Sequence, residues 1–145
     1  MSWRQSTSQE AQAGMDALFS QSLGMAVNLL DKNKEFYPFG FTLSKSNEMR
    51  TAAISTTGEK RPEMTKVLTM LKEDLVRTRN DYNAVAVVYA VRTNTNADAI
   101  AIDIENSEGT AIQILVPYKM KGIVKKTANV NMQQASTQIT DRFIW

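Results

Sequence analysis

The chain has no cysteine and no histidine, and only three prolines and six glycines in 145 residues. Each absence removes chemistry. Without cysteine there is no disulfide, thiol nucleophile, iron–sulfur cluster or thiolate zinc site. Without histidine the usual general base near neutral pH and the usual zinc ligand are gone, so Ser-His-Asp and Cys-His arrangements are excluded. Carboxylate, lysine, tyrosine or Ser–Lys chemistry remains, or no chemistry. No cofactor is implied. Long apolar runs are missing too: the longest, Ala84 to Val91, is eight residues, far short of the roughly 18 that a membrane span needs. The first ten residues, Met1 to Glu10, have no apolar core and read as no signal peptide. A cytoplasmic protein is expected by default.

The length suits one domain over 1–145 with a proper core. Seventeen basic against fifteen acidic residues leave a net charge of +2. With no Gly-rich phosphate loop and no arginine–aromatic alternation, nucleic acid is not an expected partner.

Hydrophobic spacing orders the elements. Residues 1–7 read as frayed. Thr7 and Glu10 have capping-box form, and a helix to about residue 32 follows, with Met15, Leu18, Phe19, Met25, Ala26, Leu29 and Leu30 on one face. Gly14 and Gly24 within it suggest close packing on a sheet. Phe36 to Leu43 and Glu48 to Thr56 form a hairpin around Ser44–Asn47. Pro62 opens a second helix that carries Val67, Leu68, Leu71 and Leu75 and runs to about Arg79. Three strands follow. Ala84–Arg92 is apolar on both faces. Ile100, Ile102 and Ile104 alternate with Ala101, Asp103 and Glu105. Ile112, Ile114 and Val116 alternate again, and Pro117-Tyr118 ends the strand. Residues 119–145 are a final edge strand or a surface arm, with Phe143, Ile144 and Trp145 docked because large apolar side chains favour burial. The fold class is α/β (α+β): a two-layer sandwich in the order α-β-β-α-β-β-β, with two helices on a mostly antiparallel sheet of five or six strands. Profilin-like and roadblock-like domains run in this order, an analogy of architecture alone.

Glu35-Phe-Tyr-Pro-Phe-Gly40 is the most distinctive stretch, and Asp98-Ala-Ile100 and Val116-Pro-Tyr118 stand at a strand start and a strand end. On these motifs the chain resembles a group of small uncharacterised bacterial proteins with a Glu-Phe-Tyr-Pro-Phe-Gly motif. The resemblance spans roughly residues 29–118 and implies one intact domain, with no activity to carry over.

Three functions follow as expectations. The first is a non-enzymatic interaction or adaptor-type domain that self-associates as a homodimer. If both helices cover one face of the sheet, the second apolar face of 84–92 needs a partner. Its contacts are sought at Phe36, Tyr37, Pro38, Tyr118, Lys119 and Lys121, because aromatics concentrate at interfaces. Lys119 to Lys126, opposite the acids Asp98, Asp103, Glu105 and Glu108, reads as a mixed-charge exposed face or a dipolar docking surface. The second is a small-molecule site in an apolar pocket under Phe36–Phe41, with the Tyr37 and Tyr118 hydroxyls. The third is a carboxylate-based enzyme. In that case Asp103 and Glu105, two apart on one strand face, are also placed for a hard cation.

Overall fold

The computed structural model describes residues 2–54, 63–93, 95–122 and 126–145. The sheet grows from side-chain alternation. Its strands are β1 (Phe39–Ser44), β2 (Met49–Ala52), β3 (Tyr82–Arg92), β4 (Asp98–Asn106), β5 (Ala111–Lys121), β6 (Thr127–Val130) and β7 (Ser136–Ile139). They are ordered β2-β1-β3-β4-β5, and β5 carries β6 and β7 side by side on its outer edge. Every one of these pairings is antiparallel.

Helix α1 (Gln9–Asn33) starts at Ser8, whose hydroxyl accepts from the Ala11 amide, and ends where Lys34 turns left-handed. The cap is therefore one residue later than the sequence suggests. Thr7 is released for other contacts: its hydroxyl meets the Trp3 carbonyl at 2.7 Å and the Thr110 hydroxyl at 2.8 Å. Residues 2–7, expected frayed, fold back as a 3-10 turn (Trp3–Ser6), with Arg4 paired to Asp16 at 2.7 Å. The helix buries Met15, Leu18, Ser22, Ala26 and Leu30, one stripe at three- and four-residue spacing. Gly14 does lie tight against the sheet: a Cβ there would stand 2.8 Å from Leu43 Cδ2. Gly24 faces open space instead.

Helix α2 (Met64–Arg77) buries Val67, Leu71 and Leu75. Pro62 and the expected strand end at Thr56 lie outside the described residues. Successive residues of a strand face opposite ways, so the clusters reveal where each helix sits. Ala84, Ala86 and Val88 of β3 pack with α1, Phe39, Phe41 and the isoleucines 100, 102 and 104. Val85 and Val87 pack with Leu71, Leu75 and Ile144. The helices thus lie on opposite faces, and over β3 the layering is helix, sheet, helix. The second apolar face of 84–92, the ground for expecting a homodimer, is covered within one chain at Val85 and Val87, and Tyr89 and Val91 beyond them are half-buried.

Strand β5 does not stop at Pro117-Tyr118. It pairs with β7 over 112–115 and with β6 over 118–121. Pro117 sits at the switch between the two. Its carbonyl accepts from Asn131 on the outer side. A strand residue's N–H and C=O point the same way, so the missing donor costs no bond to β4. Residues 126–145 therefore pair with their own sheet, and the last residues cross beneath α2.

Ser22 is fully buried, and its hydroxyl has no partner among the described residues. An unpaired buried hydroxyl costs about 1–3 kcal/mol. Ser22→Ala should therefore raise the melting temperature by about 2–4 °C for each kcal/mol regained in a domain of this size. A melting temperature at or below that of the parent chain would count against this account.

Candidate functional site

The aromatic segment is structural. Phe36 and Phe39 meet edge to face at 5.6 Å, and Phe39 and Phe41 at 6.1 Å. All three rings are buried in the α1-side core, and Pro38 is buried with them, which leaves Tyr37 exposed alone. Gly40 lets β1 approach β3: a Cβ there would stand 2.5 Å from the Ala86 carbonyl oxygen. The rings fill the space where an apolar pocket was expected, and none of them lines the clefts described below.

The other three expected residues come together at the outer end of the sheet. Tyr118, Lys119 and Lys121 line a cleft of about 510 Å³ with Asn129, Asn131 and Gln134. Lys119 stands opposite Asn129 in the β5–β6 ladder. Neither lysine has an ion-pair partner among the described residues. Tyr118 is half-buried, and burial first, then the charge of Asp98, raises its pKa against the opposing pull of Arg92.

On the α1 side of the same arm, Trp3, Phe19, Ile112, Ile114 and Met132 line a smaller hollow of about 190 Å³. Thr127 to Thr140 contains no charged residue, no glycine and no proline, and it supplies the outermost strand, β7. Ile139 there is 63% exposed and Met132 is 49% exposed.

The expected dipolar face loses two of its four acids, because Asp103 and Glu105 are buried while Asp98 and Glu108 stay at the surface. Asp98 pairs with Arg92 at 3.4 Å. Glu108 accepts from the Ser8 hydroxyl at 2.7 Å. Asp103 accepts from Tyr89 at 2.8 Å and Gln113 at 2.9 Å, with Lys72 at 3.7 Å. Glu105 is wholly buried and accepts from the amides of Phe143 (2.7 Å), Ile144 (2.9 Å) and Trp145 (2.9 Å), with the Arg142 guanidinium at 3.3 Å. These donors occupy both carboxylates separately, so Asp103 and Glu105 do not converge on a cation. Among the described residues no group of three or more acidic side chains is placed to hold a metal ion. No helix among them is long and apolar enough to cross a membrane.

The Glu105 contacts and the Tyr89–Asp103–Gln113 network are sites that sequence reasoning missed. The alternation of 100–105 suggests acids facing water. Only the apolar tip Phe143–Trp145, expected to dock, hinted that something covers this face. In comparisons with known proteins, no family model, no curated protein and no solved structure matches the chain.

The Tyr89 hydroxyl donates to Asp103 and accepts from Gln113 at 3.0 Å. Burial first, and then the Asp103 charge, push its pKa far above the ordinary tyrosine value. The unfolded chain releases this proton near pH 10, whereas the folded chain keeps it. The stabilisation is therefore complete below about pH 10 and falls as pH rises further. Between pH 9 and 11 the melting temperature of Tyr89→Phe should fall less than that of the parent chain. Parallel losses would remove Tyr89 from this account.

Proposed function

We propose that the chain is a non-enzymatic interaction domain that pairs with a second copy of itself along the outer edge of its sheet, at Ser136–Ile139. The observation that carries the reading is the charge-free edge. A free strand edge is a template for further pairing, and proteins blunt it with lysine, proline or a bulge. The opposite edge strand, β2, carries Arg50, ion-paired with the adjacent Glu48. Strand β7 carries neither charge nor proline, and only its length of four residues blunts it.

An antiparallel pairing of β7 with its own copy is two-fold symmetric and closes on itself. A four-residue ladder is too small alone, since a specific interface buries at least about 1,000 Å². Ile139, Met132 and the hollow beside Ile114 extend the contact with apolar surface. The absence of charge along Thr127–Thr140 removes like-charge repulsion across the axis.

Light scattering over a concentration series should give a mass near twice 16.2 kDa for the parent chain. It should give the single-chain mass for Ile139→Lys, which alters an exposed position. The melting temperature of the variant should be independent of concentration, whereas that of the parent chain should rise with it. A parent chain that stays monomeric, or a dimer indifferent to the lysine, would remove the reading.

The unpaired lysines of the Tyr118 cleft favour a second reading, small-molecule binding, with an anionic ligand in place of the apolar one expected under the aromatic segment. Inorganic phosphate at millimolar concentration should then raise the melting temperature of the parent chain but not of Lys119→Ala/Lys121→Ala. Equal shifts, or none, would count against it.

A further inference from the structure

Beyond the sheet edge, a second surface is already occupied. After the Thr140 amide bonds to the Ala111 carbonyl, residues 141–145 leave the sheet and cross its α2 face as a strap. Among the described residues the strap makes no main-chain to main-chain hydrogen bond. Side chains of the groove hold it. Glu105 takes three consecutive amides. The Arg79 guanidinium donates to the Ile144 carbonyl at 3.1 Å. Ile144, 2% exposed, fills a socket of Leu71, Leu75, Val85 and Val87. The Lys72 ammonium lies 5.2 Å from the Phe143 ring centre and 5.8 Å from that of Tyr89, within cation–π range.

We propose that this groove between α2 and the β3–β4 face is a peptide-docking groove that residues 142–145 occupy in cis. Its partner in trans is a segment of another protein that takes the same bent backbone and carries a basic residue, then an aliphatic residue between two aromatic ones. The parts suit that task. In an extended backbone successive amides point to opposite sides. A carboxylate that takes three in a row therefore recognises a bent backbone, here with its bend at Phe143, while the isoleucine socket and the Lys72 platform select side chains. A wholly buried carboxylate is costly unless donors fill it, so the groove is bound to have an occupant. The strap's chemistry shows which kind fits.

The test uses the full chain and a labelled peptide with the sequence of residues 141–145, followed by fluorescence anisotropy. In the parent chain the strap competes at an effective concentration in the millimolar range. Ile144→Asp, which expels the strap from its socket, should bind the peptide at least tenfold more tightly than the parent chain. Adding Glu105→Gln should weaken that binding at least tenfold. Equal or absent binding by a folded Ile144→Asp chain overturns the proposal. Should that variant fail to fold, hydrogen exchange on the parent chain decides. With millimolar peptide the amides of residues 143–145 should exchange at least tenfold faster while those of β4 keep their rates, and unchanged protection of the three amides overturns the proposal.

Discussion

Strand β4 and residues 84–88 of β3 are buried on both faces, and the rest of the molecule is arranged to cover them. Val85, Val87, Ala99 and Ala101 on one side, and Ala86, Val88, Ile100 and Ile102 on the other, are fully buried. Burying each large aliphatic side chain stabilises the fold by about 1.5–3 kcal/mol, so neither face can be left to water. Helix α1 answers one face. On the other, α2 reaches β1 and β3, and the strap extends the cover to β4. The two acids of β4 then lie under a roof, and a buried carboxylate needs donors. Main-chain amides of the strap serve Glu105. Tyr89, Gln113 and Lys72 serve Asp103.

This internal neutralisation shapes the surface. With Asp103 and Glu105 buried, Asp98 paired to Arg92 and Glu108 bonded to Ser8 at the surface, Lys119 and Lys121 of β5 have no ion-pair partner among the described residues. Beside them runs an arm with no charge at all. The outer end of the sheet is thus basic along β5 and neutral along β7, with two exposed apolar side chains. The aromatic cluster, conspicuous in sequence, is spent on packing beneath α1.

Much of this was legible in the residues. The two helices, the hairpin, the alternation of β4 and β5 and the mixed helix–sheet class follow from local periodicity, because a buried face must repeat every 3.6 or every 2 residues whatever it packs against. Docking of Phe143, Ile144 and Trp145 was legible for the same reason, since apolar side chains of that size seek burial. Tyr118, Lys119 and Lys121 were singled out and do share a cleft, but for their place on β5 and not for any contact with the aromatic segment.

What the sequence by itself determined is which residues leave water and in what order the elements occur. It did not determine which face each helix covers. That choice depends on where the chain crosses the sheet, and the alternation of β3 is the same for one covered face plus a partner as for two faces covered in cis. Nor does periodicity tell a solvated acid from a roofed one. Glu105 and Asp103 occupy positions that a strand offers to solvent as readily as to a lid. Only the return of residues 141–145 across the sheet, some forty positions along the chain, put amides where a carboxylate could accept them. Contacts of that range carry no local signature, so the tertiary structure alone decided them.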